Sequence, residues 1–206
     1  MSRQLVIGDK NFSSWSLRPW LALTKSGLAF EEVLVRIHQP DSAQNIRKYS
    51  PAGRVPVLIE DGVAIWDSLA IIEFIAEAVP SLWPADRMQR ALARSLAAEM
   101  HSGFAALRSA MPMNLNAEGL QVEAGADVQR DIARIQAVWE DCRARFGTGG
   151  PWLFGTFSAA DAMFAPVVTR FRTYGVAVSA PVGEYMQTVW DDPDMQRWIA
   201  GARLES

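Results

Sequence analysis

The sequence of 206 residues has one cysteine, two histidines and almost no excess of charge of one sign. Because Cys142 has no second cysteine to pair with, an intramolecular disulfide is excluded. Twenty basic side chains stand against twenty-three acidic ones, which gives a formal net charge of −3. This balance supplies no basic field for phosphate contacts, so we expect neither DNA nor RNA as a partner.

Long hydrophobic runs are also missing. No segment approaches the roughly 20 consecutive apolar residues that a membrane-spanning helix needs, and the apolar run near the N-terminus is too short for a signal peptide. We therefore expect a cytoplasmic protein that does not span a membrane. Apolar residues, in contrast, make up 50% of the chain, which is enough to fill the core of one large domain or of two compact ones.

The first eighty residues alternate strand-like and helix-like patterns in the order βαβ and then ββα. The dipeptide Asp61-Gly62 joins the last two strands as a tight hairpin turn. The polar, turn-rich stretch 38–54 is predicted to be a loop that is at most transiently helical. We predict one α/β unit over residues 1–80. Its strands are expected at 5–7, 30–37, 55–59 and 63–66, and its helices from Ser14–Ser16 to Gly27 and from Ser68, as the N-cap, to Pro80.

From about Arg87 onward the hydrophobic periodicity is helical throughout, which predicts an all-α domain over residues 86–206. The boundary between the two domains is expected near residues 80–86. Ser158 and Asp161 have the spacing of a capping box and predict the start of a buried helix. The remaining predicted helices cover 85–111, 127–146, 182–189 and 193–202.

Three groups of residues are candidates for a ligand-binding or catalytic site, and each also has a purely structural explanation. The serines at 13, 14 and 16 can simply cap a helix, Val55-Pro56 can simply form a turn, and Ser68 can simply be an N-cap. However, all three groups fall at the same end of the predicted sheet, where α/β domains tend to bind ligands. A serine hydroxyl at a helix N-terminus can stabilise an anion such as a thiolate. A cis bond at Val55-Pro56, which the sequence leaves open, would turn the Val55 main chain outward toward a ligand peptide.

In this order and spacing, these motifs resemble the cytosolic glutathione transferases. SSWSLRPW is similar to the serine motif of that family, SPAGRVPVL to its Val-Pro loop, and WDSLAIIEFI to its acidic-or-amide-Ser pair before the third helix. FSAADAMFAP resembles the capping segment of the helical domain. The serine run is closest to the zeta-like class, whose pattern is Ser-Ser-Cys, although Trp15 stands here at the third position. The resemblance implies an N-terminal thioredoxin-like domain followed by a C-terminal helical bundle.

The resemblance also implies a catalytic serine. Ser13 matches the residue that hydrogen-bonds the glutathione sulfur, and Ser14 takes this role if the register differs by one. A cysteine thiol has a pKa of about 8.5, so only a small fraction is nucleophilic at neutral pH. A hydroxyl donor at a helix N-terminus can lower this pKa by favouring the anion, and no metal is required.

Four further residues match the part of the family that holds the glutathione backbone. The main chain of Val55 is expected to pair with the cysteinyl part, and the side chain of Arg54 to line the same groove. Ser68 is expected to bind the γ-glutamyl carboxylate, and Asp67 the γ-glutamyl ammonium group.

The second substrate is expected to lie against the long helix 85–111, where His101, Phe104 and Arg108 are spaced to share one face. His101 is more often a hydrogen-bonded interior or interdomain residue than a catalyst. Arg108 is the better ligand candidate because a partly buried arginine needs an anionic partner. That partner is either an acidic substrate or a structural carboxylate such as Glu99 or Asp161. We assign His101 and Arg108 to the substrate pocket.

The leading hypothesis is a zeta-like glutathione transferase, a homodimer with a role in detoxification, in which the sulfur of glutathione attacks a small electrophile. A narrower alternative is a glutathione-dependent cis-trans isomerase of the maleylacetoacetate isomerase type, against which Trp15 counts. A different alternative is a glutathione-binding interaction module without turnover. The sequence does not identify the electrophile.

Overall fold

The computed structural model describes residues 2–205. The N-terminal part contains a four-stranded sheet in the order β2-β1-β3-β4, in which β1 is parallel to β2 and antiparallel to β3. At the hairpin between β3 and β4, Asp61 and Gly62 both have positive φ angles of 46° and 85°, as the Asp-Gly signature predicts. The strands are β1 (Arg3–Ile7), β2 (Glu31–Leu34), β3 (Val57–Glu60) and β4 (Val63–Ile65).

Helices cover both faces of this sheet. Side chains of β1 alternate between the faces, so Leu5 and Ile7 pack with the first and third helices while Val6 packs with Ile46 of the second. Gly27 ends the first helix in the left-handed conformation, as predicted. The helices are α1 (Ser14–Ser26), α2 (Ser42–Arg47) and α3 (Ser68–Ala78).

Helix α2 corrects the prediction that the whole stretch 38–54 is a loop. Its six residues are mostly polar, so the local pattern does not predict a helix. The helix forms because Ile46, which is buried, fills a small cluster with Val6 and Val57 on this face of the sheet. Tertiary packing here overrides weak local propensity.

The remaining long elements of the described chain are helices. Helix α7 is the central helix, since it packs against α1 of the N-terminal part as well as against α4 and α8, and the predicted capping box of Ser158 and Asp161 is present at its start. The tryptophan Trp139 of α6 is surrounded by aromatic rings in the core. These helices are α4 (Arg87–Ser102), α5 (Ala105–Ala110), α6 (Ala126–Phe146), α7 (Ala159–Thr173), α8 (Ala180–Asp191) and α9 (Pro193–Leu204).

The predicted single helix 85–111 is wrong, because the structure divides it into α4 and α5. Gly103 lies so close to the Glu99 carbonyl that a Cβ would meet its oxygen at 2.7 Å. Phe104 follows with a φ of 56°, which is outside the helical region. His101 and Arg108 therefore belong to two different helices, and they do not share one continuous helix face.

The architecture is that of an N-terminal thioredoxin-like domain followed by an all-helical domain, as predicted. The exact boundary near residues 80–86 stays a prediction. Within residues 2–205, no helix is both long enough and apolar enough to cross a membrane.

Candidate active site

A cavity of about 580 Å³ opens at one end of the sheet, between the loop before β3, the start of α3 and the end of α4. This volume lies within the range of small-molecule sites. The structure brings together five residues that the sequence predicts to act at one site, and adds Trp15 to them. The lining includes Trp15, Arg54, Val55, Asp67, Ser68 and His101.

The start of α3 contributes a buried hydroxyl to the cavity. Ser68 is 1% exposed, and its Oγ has no hydrogen-bond partner among the described residues. The predicted N-cap role belongs to Asp67 instead, because Asp67 Oδ1 accepts hydrogen bonds from the N–H groups of Leu69 and Ala70 at 3.0 and 3.1 Å. With the cap supplied by Asp67, the hydroxyl of Ser68 stays available at a helix N-terminus, where an anion is favoured.

The loop before β3 contributes main-chain groups. The Val55-Pro56 peptide bond is cis, which resolves the question that the sequence left open; the Trp66-Asp67 bond is also cis. Neither the N–H nor the C=O of Val55 has a hydrogen-bond partner within residues 2–205. Arg54 is exposed at the rim of the cavity and forms no ion pair in the same part of the chain.

His101, at the end of α4, joins the two parts of the molecule at the cavity wall. Its Nε2 lies 2.7 Å from Asp67 Oδ2, while its Nδ1 is buried without a partner among the described residues. The imidazole also packs edge-on against Trp15, with 5.4 Å between the ring centres. His101 is thus an interdomain residue that also borders the cavity.

The two serines predicted for thiol activation directly precede the lining residue Trp15 in the chain, and both are buried. Ser13 directly precedes α1, and its Oγ donates to Ser16 Oγ at 2.7 Å. Ser16 Oγ also accepts from the Gly8 N–H at 3.1 Å. Ser14 is the first residue of α1, and its Oγ accepts from Arg170 Nη2 of α7 at 3.1 Å. Neither serine contacts the open cavity directly, and their catalytic role stays a prediction.

Trp15 separates the cavity from a group of arginines. Its ring lies 4.2 Å from the guanidinium carbon of Arg18 and 5.2 Å from that of Arg108, a geometry in which the aromatic face stabilises the positive charge. Arg108 is partly buried, which lowers its pKa, although the nearby Asp131 opposes this effect. Two cations therefore lie close to the Trp15 indole, which lines the cavity.

The structural carboxylates considered for Arg108 are both occupied elsewhere. Glu99 pairs with Arg134 at 2.7 Å, and Asp161 accepts from Leu153 and Ser158. Arg108 instead donates to the main-chain carbonyl of His101 at 3.1 Å. Its guanidinium has no carboxylate partner among the ion pairs of residues 2–205.

Sequence reasoning did not single out Arg18 and Arg170, which are the most deeply buried cations near the site. A signal was present for each of them. Arg18 follows Trp15 by three residues, a spacing that places both on one helix face. Arg170 interrupts the apolar segment FAPVVTRF, and a charge inside such a segment needs a specific reason to be buried. Among residues 2–205, no group of His, Cys, Asp or Glu side chains has the arrangement of a metal site.

The chain matches family models for the two domains of one family. Residues 12–78 match "Glutathione S-transferase, N-terminal domain", and residues 125–201 match "Glutathione S-transferase, C-terminal domain". A solved glutathione transferase homolog from Burkholderia, which has glutathione bound, is 25% identical, and the alignment covers 100% of both chains with a TM-score of 0.75.

Curated relatives agree with these matches. Maleylacetoacetate isomerase of Mus musculus is 32% identical over 173 residues, covering 81% of this chain and 78% of that protein. Glutathione S-transferase Z2 of Arabidopsis thaliana is 28% identical over 180 residues, covering 79% and 81%. A probable maleylacetoacetate isomerase of Caenorhabditis elegans is 32% identical over 105 residues, and this match spans only about half of that protein, 49%.

The fold, the cavity and these matches define the class of protein: the chain belongs to the glutathione transferase family. Within this family it is zeta-like, as the serine motif predicted.

Proposed function

We propose that this protein is a glutathione transferase that binds glutathione in the cavity between the Val55 loop and α3. The observation that carries the proposal is the buried hydroxyl of Ser68 at the start of α3, which has no hydrogen-bond partner among residues 2–205 and lines the same cavity as the Val55 main chain. A hydroxyl at a helix N-terminus suits a carboxylate, and free N–H and C=O groups suit a peptide. A γ-glutamyl tripeptide offers both.

Each lining residue has a distinct part in binding. Ser68 donates to the γ-glutamyl carboxylate, and the Val55 N–H and C=O pair with the cysteinyl peptide in the manner of an added strand. Arg54 lies at the rim, where it attracts a carboxylate. Asp67 is committed to the α3 cap through Oδ1 and to His101 through Oδ2, so its contact with the ligand ammonium group has to share an oxygen that is already engaged.

A serine at the start of α1, Ser13 or Ser14, stabilises the thiolate by donating a hydrogen bond. When bound, glutathione supplies the sulfur nucleophile. The serine and the main chain of Val55 hold the sulfur in position at the N-terminus of α1, where the N–H groups of the first helical turn favour negative charge. Trp15 and His101 then form the wall against which a small electrophile is held, and Arg108 lies against the Trp15 ring next to this wall.

A second candidate, a glutathione-dependent isomerase acting on a carboxylate substrate, is favoured by one observation. Arg108 is a partly buried cation near the cavity that contacts the His101 carbonyl and the Trp15 ring and has no carboxylate ion-pair partner within residues 2–205, and the relatives include proteins named as maleylacetoacetate isomerases. Trp15 at the position of the zeta-class cysteine still counts against it. The homodimer, the cytoplasmic location and a role in detoxification are proposals that rest on the family resemblance.

The test combines binding with ionisation. The purified wild type is titrated with glutathione across pH while the ultraviolet absorbance of the thiolate is followed, and the double variant Ser13→Ala/Ser14→Ala is treated in parallel. We expect glutathione to bind to both proteins but to ionise well below its free pKa only in the wild type. Binding without ionisation would leave the interaction module as the better description, and no binding at all would refute the proposal.

The variant Arg108→Met distinguishes the transferase function from the isomerase function. Conjugation of a neutral aryl halide is compared with turnover of a carboxylate-bearing cis-alkene. If Arg108 holds a substrate carboxylate, the variant loses about tenfold or more in kcat/KM on the second substrate and little on the first. Equal losses on both substrates would contradict this role.

A further inference from the structure

Arg170, in the middle of α7, is a buried cation whose burial the fold alone does not explain. Its side chain is 4% exposed, and burial, followed by the charge of Arg108, lowers its pKa to about 10. Nη2 donates to Ser14 Oγ at 3.1 Å, while Nε and Nη1 have no partner among the described residues. A buried charge without a paired anion is costly, so such groups are usually retained for function.

Arg18 adds a second buried cation at the same place. It is fully buried, its Nε donates to the Met163 carbonyl at 3.2 Å, and neither Nη1 nor Nη2 has a partner in residues 2–205. Burial lowers the pKa of Arg18 well below its usual range, and the charges of Arg170 and Arg108 lower it further, with only Asp67 acting in the opposite direction. The start of α1 is therefore a region of surplus positive charge, which favours an anion.

The hydrogen bonds of the two serines differ in a way that bears on which of them meets that anion. Ser13 Oγ donates to Ser16 Oγ, so its proton is engaged within the turn. Ser14 Oγ accepts from the Arg170 guanidinium, and its own hydroxyl hydrogen has no acceptor among the described residues. A hydroxyl whose lone pair faces a cation becomes a stronger donor through its hydrogen.

We propose that Arg170 is a positioning residue for thiol activation, acting through Ser14. Arg170 fixes the Ser14 hydroxyl next to Trp15, which lines the cavity, so that bound glutathione meets the hydroxyl hydrogen with its sulfur, and the guanidinium charge makes this hydroxyl a stronger donor. The thiol proton leaves to water, while Ser14 keeps its own proton and donates a hydrogen bond. This inference rests on the proposed function and deepens it: the helical domain supplies the charge that activates a thiol bound by the N-terminal domain.

The experiment measures the affinity for glutathione by calorimetry and the pKa of the bound thiol by thiolate absorbance. The variants are Ser14→Ala, Arg170→Met, Arg170→Lys and the double variant Ser14→Ala/Arg170→Met. Arg172→Met is the matched control, because it lies on the same helix with an exposed side chain that packs over Trp190. Ser13→Ala tests the other serine.

Ser14→Ala and Arg170→Met are each expected to raise the pKa of the bound thiol by about one unit or more. Arg170→Lys is expected to raise the pKa of the bound thiol less than Arg170→Met does, because the positive charge beside Ser14 is kept. Arg172→Met leaves the pKa at its wild-type value, and Ser13→Ala raises it less than Ser14→Ala does. Since Arg170 acts through Ser14, the double variant shows no larger shift than Ser14→Ala, a result that a merely structural role would not produce.

An unchanged pKa in Ser14→Ala, or a rise in Ser13→Ala alone, would overturn the inference. If Arg170→Met does not fold, Ser14→Ala and Arg170→Lys decide the question, since both keep a positive charge at position 170. Failure of the proposed function is distinguishable: in that case the wild type itself does not ionise bound glutathione. If the wild type and the two Arg170 variants ionise it equally well, only the role of Arg170 is wrong.

Discussion

His101 Nε2 lies 2.7 Å from Asp67 Oδ2, and this contact connects the end of α4 to the start of α3 at the cavity wall. The same carboxylate caps α3 through its other oxygen. Asp67 therefore has two structural duties, a helix cap and an interdomain contact.

Substitutions of Asp67 distinguish the contribution of the α3 cap from that of the contact with His101. Asp67→Ala removes both and is expected to lower the free energy of unfolding by about 1–2 kcal/mol. Asp67→Asn keeps an oxygen for the cap and is expected to lose less. Unfolding in urea, followed by circular dichroism, measures both effects. Asp86→Ala is the control, because Asp86 caps α4 with the same two-bond geometry but does not contact His101. If Asp67→Ala costs no more than Asp86→Ala, the contact with His101 contributes nothing to stability.

Substitution of Ser68 is expected to affect glutathione binding but not the stability of the fold. Its buried hydroxyl has no partner in the described part of the chain, so Ser68→Ala removes a desolvated polar group and leaves the free energy of unfolding unchanged or slightly higher. The affinity for glutathione is expected to fall about tenfold or more, because a hydrogen bond to a carboxylate is lost. Calorimetry and urea unfolding provide the two measurements.

Ser95→Ala is the control for Ser68, since Ser95 is exposed on α4 and donates only to the Ala91 carbonyl. It should leave the affinity for glutathione unaltered. A Ser68→Ala variant that binds glutathione as tightly as the wild type would remove Ser68 from the site.

Cys142 is predicted to be unreactive in the folded protein. The side chain is 1% exposed, and burial, with the nearby carboxylates of Asp141 and Asp161, raises the pKa of its thiol to about 12. Since the thiolate is the reactive form, a disulfide reagent at mildly alkaline pH should modify it only as fast as the protein opens. Unfolded protein in guanidinium provides the reference rate. Rapid modification of the native protein would show that α6 opens locally.

Much of the fold was predictable because local signals and tertiary structure agree. The alternation of strands and helices, the Asp61-Gly62 turn and the Gly27 stop each have one strong local cause, and the structure contains all of them. The misassigned elements are those in which distant contacts decide. Helix α2 forms because Ile46 has a cluster to fill, and the break before α5 depends on the close approach of Gly103 to a carbonyl.

In the candidate site, too, the residues with local sequence signatures were predictable and the long-range contacts were not. Val55, Asp67 and Ser68 were recognisable because loop ends and helix starts carry sequence signatures, and the structure places them around one cavity. The contact between Arg170 and Ser14 joins residues 156 positions apart. No local pattern predicts a contact of this kind, and the sequence indicated only that a charge lies in an apolar helix.

Asp161 links the start of α7 to the pH dependence of stability. The carboxyl is buried, and burial raises its pKa from 3.8 to about 6, although hydrogen bonds from Leu153 and Ser158 favour the charged form. The folded state therefore holds the proton more tightly than the unfolded state does. The stabilisation that Asp161 contributes to the folded state is fully present below the pKa of the carboxyl in the unfolded state, and it is lost as the pH rises through about 6.

The comparison with Asp161→Asn makes this contribution measurable. The free energy of unfolding of the wild type, minus that of the variant, is expected to decrease between about pH 4 and pH 6 by up to about 1.4 kcal/mol per pH unit, and to be constant at higher pH. Urea unfolding over a pH series gives both curves. Ser158→Ala retains the carboxyl but removes a hydroxyl that favours its charged form, so the decrease should extend to higher pH in that variant. A difference that does not vary with pH would mean that Asp161 titrates alike in the folded and unfolded states.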